Sequence, residues 1–181
     1  MIKINMGCGW RNFGEDWVHI DGGNYQHLDY KDILNLPYEN NVVDLIYASH
    51  VIEYFDTQEI KNVLKEWKRV LKKDGILRIA VPDFQTMAEL YSLEKIQLTD
   101  ILGPLYGKME MGDKKIYHKT VYDLKTLENI LKCAGFYDIV RYDWRNTEYS
   151  HHDDHSQAYL PHMDKENGTL ISLNVECKNE F

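Results

Sequence analysis

Runs of apolar residues along the chain predict six β-strands separated by polar or amphipathic segments. These strands cover residues 2–6, 17–20, 42–49, 76–81, 136–144 and 170–177. The third and fourth runs are almost continuously apolar, and the third is rich in β-branched side chains, which is typical of strands buried on both faces of a parallel sheet. The pattern therefore favours an α/β domain.

Two amphipathic helices accompany these strands. The first begins at Asp56, which forms a capping-box pattern with Glu59, and its apolar residues recur at spacings of three and four. We expect Gly75 to close this helix. The second helix covers residues 123–133 and is stopped by Gly135. Each helix is expected to pack its apolar face on the sheet.

Two segments depart from the alternation of strands and helices. Residues 84–120 predict one helix around Leu90, a second within residues 96–106, and then a glycine-broken stretch. Residues 145–169 are polar and have no sustained period, and a structureless loop of this length is usually functional or mobile. Because ligands of open α/β sheets bind at the carboxyl ends of the strands, we expect both segments to roof one pocket there.

The turn after the first strand carries the clearest chemical signal. Gly7, Cys8 and Gly9 follow that strand directly, and Asp21 ends the neighbouring strand. Glycines permit positive φ and let a ligand lie against the backbone. A strand-ending carboxylate can accept hydrogen bonds from the hydroxyls of a ribose. Together they predict a pocket for an adenosine-containing ligand, although the turn by itself also fits a simple tight turn.

The connection between the first two strands is unusually short. Parallel neighbours need about a dozen residues or more, usually including a helix, yet only residues 10–16 separate the glycine turn from the second strand. The first crossover helix is therefore expected to be shortened or missing. Trp10, Arg11 and Asn12 are the residues expected to fill the gap.

Composition and charge restrict the classes of partner. A chain of 181 residues with 44% hydrophobic and 28% charged residues fits one globular domain, residues 1–181. The net charge of -8 disfavours a phosphate-binding surface, so nucleic acid is not expected as a partner. Three separated cysteines without a CxxC pair do not indicate a disulfide framework. Since no apolar run approaches the ~20 residues that span a membrane, we expect a cytoplasmic protein.

Five motifs follow one another along the first half of the chain: MGCG, the strand-ending Asp21, DILNLP, VVDLIYASHVIEYF and VLKKDGILRIAVPD. Their order resembles that of class I S-adenosylmethionine-dependent methyltransferases. The resemblance implies S-adenosylmethionine as cofactor and a Rossmann-like fold, with a doubly wound, mostly parallel, seven-stranded sheet whose last strand is antiparallel. The short first crossover departs from the family pattern, in which a full helix follows the glycines.

The resemblance also implies which residues hold the cofactor. Asp32 would lie by the adenine amino group and Ile33 beside the adenine ring, while a turn residue or helix cap is the alternative for Asp32. His50 is either a wall of the pocket or a structural histidine. The implied cofactor-binding residues are Met6, Gly7, Cys8, Gly9, Asp21, Gly22, Asp32, Ile33, Ser49 and His50.

The two insertions, residues 84–120 and 145–169, are expected to form the acceptor site. His118 is the first candidate for the base that removes the acceptor's proton and His155 is the second, because the ordinary histidine pKa of ~6.5 suits proton transfer near neutrality. Aromatic and mixed polar side chains suit a small polar acceptor. The candidate substrate-binding residues are Asp83, Tyr106, Tyr117, Lys119 and Tyr159.

The segments YHK and HDDHSQAYLPHMDKENGTLISLNVE resemble small methyltransferases of type 11 that are linked to polysaccharide or sugar modification. This resemblance makes a sugar or sugar-nucleotide hydroxyl the first acceptor to consider. Imidazoles and carboxylates suit zinc or manganese, but the adjacent residues of the HHDDH run cannot all point inward, so no metal is expected. The alternatives are a non-catalytic binding module of the same fold and, less favoured, a nicotinamide-dependent oxidoreductase. A homodimer is left open.

Overall fold

The computed structural model describes residues 1–111 and 114–180. Its strands are β1 (Lys3–Met6), β2 (Val18–Ile20), β3 (Val43–Ser49), β4 (Leu71–Pro82), β5 (Met109–Met111), β6 (Lys114–Ile116), β7 (Phe136–Arg141), β8 (Tyr159–Leu160), β9 (Thr169–Leu170) and β10 (Ser172–Asn179). Its α-helices are α1 (Glu59–Val70), α2 (Phe84–Ser92), α3 (Leu98–Tyr106) and α4 (Leu124–Cys133). Single 3-10 turns lie at Ile52–Tyr54, Trp144–Asn146 and His155–Gln157.

A six-stranded sheet in the order β2-β1-β3-β4-β10-β7 forms the centre of the fold. The strands β1 to β4 are parallel, and β10 runs antiparallel to both of its neighbours. Met6 lies opposite Ile20 on one side and Ala48 on the other, so β1, β2 and β3 end at one edge. The prediction of a mostly parallel α/β sheet with an antiparallel last strand is confirmed.

The expectation of seven strands is wrong, because the central sheet has six. In the place of the seventh strand, beyond β2, an isolated bridge pairs Ile20 with Tyr30. The chain there turns instead of extending, since Asp32 accepts hydrogen bonds from two backbone N–H groups of its own turn. Residues 22–29, which precede the bridge, include two glycines and several polar residues, a composition that disfavours strands.

Helices α1 and α4 cover one face of the sheet. Trp67 of α1 and Leu131 of α4 are fully buried in one cluster with apolar residues of β1, β3 and β4. The predicted capping box is present, since Asp56 and Glu59 exchange side-chain-to-backbone hydrogen bonds of 2.8 and 2.9 Å. Gly75 does not close the helix as expected. It lies within β4, near the point where the register with β3 shifts.

The opposite face of the sheet is covered by loop residues. Every residue of the connection between β1 and β2 is described, and none is helical, as the short crossover predicts. Phe13 and Trp17 of this connection pack on Tyr47 of β3 together with Tyr149. The ring of Tyr149 lies 5.3 Å from that of Phe13 and 5.5 Å from that of Trp17. Since Tyr149 belongs to the segment 145–169, that segment fills the space beside the short crossover.

The segment 145–169 is more ordered than its polar composition predicts. The Tyr47 hydroxyl donates a 2.5 Å hydrogen bond to Oδ2 of Asp154, and the Arg11 side chain donates to the carbonyl of Asp153 at 2.8 Å. Further along, β8 pairs with β9, and Leu160 packs with residues of α2 and α3. The first part of the segment therefore covers the sheet, and its role in an acceptor site stays a prediction.

The insertion at residues 84–120 contains α2, α3 and a hairpin of β5 and β6. Asp83 caps α2, because its carboxylate accepts hydrogen bonds from the backbone N–H and the hydroxyl of Thr86. Gly112 of the predicted glycine-broken stretch lies outside the described residues. Within the two described ranges, no helix combines the length and the apolar character needed to cross a bilayer.

Candidate functional site

The glycine turn and Asp21 lie side by side at the carboxyl edge of the sheet. The backbone N–H of Gly9 donates to Oδ2 of Asp21 at 2.9 Å, and that of Gly23 donates to Oδ1 at 2.6 Å. Gly7 and Gly9 have φ angles of +64° and +59°, a conformation that glycine adopts without steric cost. The structure therefore brings the turn and the buried strand-ending carboxylate together.

The glycines of the turn differ in their surroundings. A methyl group at Gly7 would overlap Val51, so this glycine is required for close packing against the segment after β3. A methyl group at Gly9 would meet nothing within 4 Å, which makes Gly9 the open part of the turn. Met6 is fully buried in the core, so its backbone is the part that can contact a ligand.

Cys8 is buried beside Asp21. Burial and the Asp21 carboxylate raise the pKa of the Cys8 thiol to about 12, so the thiol is protonated at neutral pH. Its sulfur lies 3.7 Å from Nε2 of His27. Gly22 is covered by Met111 of the β5–β6 hairpin, whose sulfur lies 2.8 Å from the position of an added Cβ. A side chain of the 84–120 insertion thus reaches the predicted cofactor edge.

Asp32 and Ile33 lie just beyond the isolated bridge to β2. Asp32 is exposed, and its carboxylate accepts hydrogen bonds from the side chain of Asn35 at 2.9 Å and from backbone N–H groups of its turn. These hydrogen bonds, with that of Asn35 the strongest, lower the pKa of Asp32. Ile33 is half-buried, and its carbonyl accepts a hydrogen bond from Trp67. Asp32 is a turn residue in this structure, and its contact with adenine stays a prediction.

Ser49, the last residue of β3, and His50, which follows it, lie at the same carboxyl edge of the sheet. His50 has a φ of +53°, and its backbone N–H donates to the carbonyl of Ala80 at 2.8 Å. Among the described residues, neither Oγ of Ser49 nor Nε2 of His50 has a hydrogen-bond partner, although both atoms are buried. Burial, and then the nearby His155, hold the pKa of His50 well below its ordinary value, so its ring is neutral at pH 7.

Glu53 is a residue that sequence reasoning missed. Its carboxyl is fully buried, and in the described part of the chain neither oxygen has a hydrogen-bond partner. Oε1 lies 3.5 Å from Nδ1 of His50 and 3.7 Å from Nε2 of His118. Burial raises the pKa of Glu53 to about 8. The signal that could have found it is an acidic residue inside the apolar run VIEYF, three positions after His50.

The structure places both predicted bases, His118 and His155, near Glu53 and His50. Nδ1 of His118 lies 2.9 Å from the carbonyl oxygen of Pro104, its side chain is 4% exposed, and burial lowers its pKa. His155 is the exposed residue of a 3-10 turn whose other two residues are buried, and its ring centroid is 5.0 Å from that of His50. We name the set of His50, Glu53, His118 and His155 the histidine–glutamate cluster.

The predicted substrate-binding residues fall into two groups. Tyr106 and Tyr117 expose about half or more of their side chains to solvent. Asp83, Lys119 and Tyr159 instead have partners within the protein. Asp83 caps α2, while Lys119 forms a 2.7 Å ion pair and the buried Tyr159 hydroxyl accepts a 2.8 Å hydrogen bond. Their contact with a substrate stays a prediction.

Two clefts of about 310 and 330 Å³ lie at the opposite, amino-terminal edge of the sheet, and Lys65 and Lys68 line the first. Open α/β sheets bind ligands at the carboxyl edge, where the glycine turn and the histidine–glutamate cluster lie, so these clefts are not assigned to the site. In residues 1–111 and 114–180, no three His, Cys, Asp or Glu side chains are grouped so that they could hold a metal ion.

The residues at the carboxyl edge fit an adenosyl ligand. Asp21 offers a buried carboxylate, and the surface over Gly9 is open. Ser49 and His50 present buried polar atoms that lack partners within the described residues. This donor and acceptor set matches ribose hydroxyls and the polar end of an amino acid.

Residues 14–79, about a third of the chain, match the sequence profile of a methyltransferase domain family. The matched range contains β2, Asp21, β3, His50 and Glu53. A search of curated proteins finds no match to this sequence.

Solved structures share the fold over almost the whole chain. A Pyrococcus horikoshii OT3 protein is 15% identical, with a TM-score of 0.59, over 99% of this chain and 82% of that one. A SAM-dependent methyltransferase from Methanosarcina mazei is 14% identical, with a TM-score of 0.58, over 98% and 92%. The Burkholderia thailandensis 1,6-didemethyltoxoflavin-N1-methyltransferase, solved with S-adenosylhomocysteine, is 11% identical, with a TM-score of 0.57, over 99% and 71%. At these identities the likeness establishes the fold. Together with the family match, it supports a class I methyltransferase with S-adenosylmethionine as its cofactor.

Proposed function

We propose that this protein is an S-adenosylmethionine-dependent methyltransferase that acts on a small polar acceptor. The observation that carries the proposal is the 2.9 Å contact between the N–H of Gly9 and the carboxylate of Asp21, at the adjacent ends of β1 and β2. A backbone open to close approach and a carboxylate that can accept from ribose hydroxyls are the main requirements of an adenosyl site. The family match over residues 14–79 supports the same ligand.

Each end of the cofactor has candidate partners along the carboxyl edge. Asp21 would hold the ribose, Asp32 and Ile33 the adenine, and Ser49 and His50 the end that carries the sulfonium. The remaining contacts would come from Met6, Gly7, Cys8, Gly9 and Gly22. When bound, S-adenosylmethionine supplies a methyl group that the sulfonium has already activated.

The protein must align the acceptor atom with the methyl group and provide a base that takes one proton. An acceptor oxygen or nitrogen attacks the methyl carbon while the carbon–sulfur bond breaks, and the acceptor's proton passes to a protein base. The histidine–glutamate cluster, which includes His118 and His155, is the candidate source of that base. Two of its members, His50 and Glu53, follow the end of β3 beside Ser49, which supports this assignment.

A sugar or sugar-nucleotide hydroxyl is the acceptor that we propose, in a pathway of polysaccharide or sugar modification. The exposed rings of Tyr106 and Tyr117 offer flat surfaces for a sugar, and Asp83, Lys119 and Tyr159 are the predicted polar contacts. The insertions 84–120 and 145–169 would form this acceptor side. The Burkholderia neighbour, by its name, acts on a small molecule, which supports the same size class for the acceptor.

Cofactor binding is the first experiment. We expect calorimetric titration to give saturable binding of S-adenosylmethionine and S-adenosylhomocysteine and no binding of NAD. The variant Asp21→Asn should weaken binding of S-adenosylhomocysteine by roughly 10- to 100-fold, because a hydrogen bond to a charged group contributes about 1.5–3 kcal/mol. The matched control is Asp16→Asn, an exposed aspartate, which should bind as the wild type does. Equal affinity in both variants would contradict the ribose role of Asp21.

Transfer of a labelled methyl group then separates an enzyme from a binding module. The acceptors tested are nucleotide sugars, amino acids and small phenols. The connection between β1 and β2, where no described residue is helical, is the observation that favours a non-catalytic module, because methyltransferases of this class place a helix there. Tight binding of S-adenosylmethionine with no transfer to any acceptor class would support the module, whereas binding of NAD alone would support an oxidoreductase.

A further inference from the structure

We infer that His50, oriented by the buried carboxyl of Glu53, is the base that takes the acceptor's proton. The inference rests on the proposed methyl transfer and names the residue that performs its proton step. The sequence predicts that His50 contacts the cofactor and that His118 or His155 is the base. The contacts within the histidine–glutamate cluster divide these roles differently.

The two ring nitrogens of His50 have different surroundings. Nδ1 lies 3.5 Å from Oε1 of Glu53, while Nε2 is buried and has no hydrogen-bond partner in the described residues. Above a pH of about 8, where Glu53 is ionised, an imidazole that directs Nδ1–H to its carboxylate keeps the lone pair of Nε2 free to accept a proton. The contact is longer than an ideal hydrogen bond, as is common for catalytic pairs in ligand-free structures.

The backbone of His50 also indicates a constrained position. Its φ of +53° lies in the left-handed region, which is unusual for a residue other than glycine. A 2.8 Å hydrogen bond from its N–H to the carbonyl of Ala80 in β4 holds this conformation. Residues kept in sparsely populated conformations by the surrounding structure cluster at active sites. His50 stands directly after the last residue of β3, at the edge where the cofactor is proposed to bind.

His118 has no ring nitrogen available for an acceptor. Nδ1 lies 2.9 Å from the carbonyl oxygen of Pro104, and Nε2 lies 3.7 Å from Oε1 of Glu53. The ring packs against Gly107 so closely that a methyl group at that glycine would overlap it. With both nitrogens directed into the protein and a side chain that is 4% exposed, His118 is a positioning residue for Glu53.

His155 lies on the outside of the cluster. Its ring packs against that of His50 at a centroid distance of 5.0 Å, and His155 is the exposed residue of a turn that is otherwise buried. His155 therefore helps to bury His50, and an acceptor that is to reach Nε2 of His50 requires the exposed side chain of His155 to move aside. Three other charged or titratable groups interact with this pair. Arg11 acts on His50, and Glu53 acts on Tyr54 and Tyr122.

Methyl transfer to the acceptor releases one proton, and His50 takes it. The acceptor oxygen forms a bond to the methyl carbon, and the carbon–sulfur bond breaks with its electron pair moving to sulfur, which gives S-adenosylhomocysteine. The acceptor's proton moves to Nε2 of His50, and the resulting imidazolium is stabilised by the carboxylate of Glu53, which is ionised above a pH of about 8. Water takes the proton from His50 after product release.

Ring-nitrogen NMR on ¹⁵N-histidine-labelled protein tests the pair without any acceptor. In the wild type at pH 9 we expect His50 to carry its proton on Nδ1, and Glu53→Gln should change its tautomer or its titration midpoint. The control Glu39→Gln, at an exposed glutamate, should change neither. An Nε2–H tautomer in the wild type, or a His50 signal that Glu53→Gln leaves unchanged, would overturn the inference.

Turnover with the acceptor found in the labelled-methyl screen provides the second test. At pH 9, where Glu53 is ionised, His50→Gln should lower kcat by at least ~100-fold, the usual contribution of a general base, and should weaken binding of S-adenosylhomocysteine by a much smaller factor. Its control is His151→Gln, at an exposed histidine of the 145–169 segment. A His50→Gln variant with near wild-type kcat would overturn the assignment. Failure of the wild type to bind S-adenosylmethionine would instead refute the proposed function. The NMR experiment would still test the interaction between His50 and Glu53.

Discussion

Replacing Glu53 with glutamine is expected to remove a large pH-dependent term from the stability of this protein. The carboxyl is fully buried, and its pKa is raised to about 8, whereas a glutamate in the unfolded chain titrates near its ordinary value of 4.5. Between these two values the folded protein holds a proton that the unfolded chain has released. Stability from this group is therefore fully present below pH 4.5 and is lost as the pH rises through about 8.

The size of this stability contribution follows from the difference between the two pKa values of Glu53, 4.5 in the unfolded chain and about 8 in the folded protein. One proton contributes about 1.4 kcal/mol for each pH unit, so this difference corresponds to about 5 kcal/mol of unfolding free energy, a third or more of the net stability of a typical domain. Glutamine has nearly the same shape and cannot ionise. The variant should therefore gain up to about 5 kcal/mol relative to the wild type between pH 4.5 and pH 9.

Urea unfolding followed by tryptophan fluorescence at pH 5, 7 and 9 measures this difference. His50 and His118 have lowered pKa values, so their contributions are present above their ordinary pKa of 6.5 and are lost as the pH falls. Both rings are therefore neutral at pH 7 and above, so the change between pH 7 and pH 9 reports on Glu53. The control Glu39→Gln should track the wild type at every pH. A difference between Glu53→Gln and the wild type that stays constant from pH 5 to 9 would refute the reasoning.

Two further substitutions test the packing around the site, each by urea unfolding. Gly7→Ala should destabilise by roughly 1–3 kcal/mol or more, because φ is +64° and the methyl group would overlap a neighbour, whereas Gly103→Ala meets nothing within 4 Å and should be neutral or stabilising. Tyr149→Ala should cost roughly 3–5 kcal/mol, since it removes a buried ring from the cluster that covers one sheet face, while Tyr137→Ala at an exposed ring should cost far less. Equal losses within either pair would contradict these assignments.

Local patterns in the sequence predict the elements whose neighbours are close in the chain. The capping box at Asp56 and Glu59 and the apolar runs of β3 and β4 are examples, because their signals depend on spacing within one turn or one strand. The adjacency of the glycine turn and Asp21 also follows from strand order. These features needed no knowledge of distant contacts.

The features that the sequence did not predict depend on long-range packing. Tyr149 lies in a polar segment without periodicity, and its burial against Phe13 is decided by the space that a short crossover leaves on the sheet. Glu53 sits among apolar residues, but spacing cannot show that two distant histidines meet its carboxyl. The central sheet lacks a seventh strand for a local reason, the turn at Asp32. The seventh strand was expected only because of the family resemblance.

The short crossover changes how the sheet is covered, and that cover also holds the histidine–glutamate cluster. The Tyr47 hydroxyl in the middle of β3 donates to Asp154, and Asp154 directly precedes His155, whose ring packs on His50. Tyr47→Phe should therefore release the turn that carries His155, while Asp21 keeps its bonds to the N–H groups of the glycine turn and the turn after β2. We expect the ¹⁵N shifts of His155 to move in this variant with affinity for S-adenosylhomocysteine unchanged. A loss of that affinity with unmoved His155 shifts would show that the sheet cover supports the cofactor edge instead of the cluster.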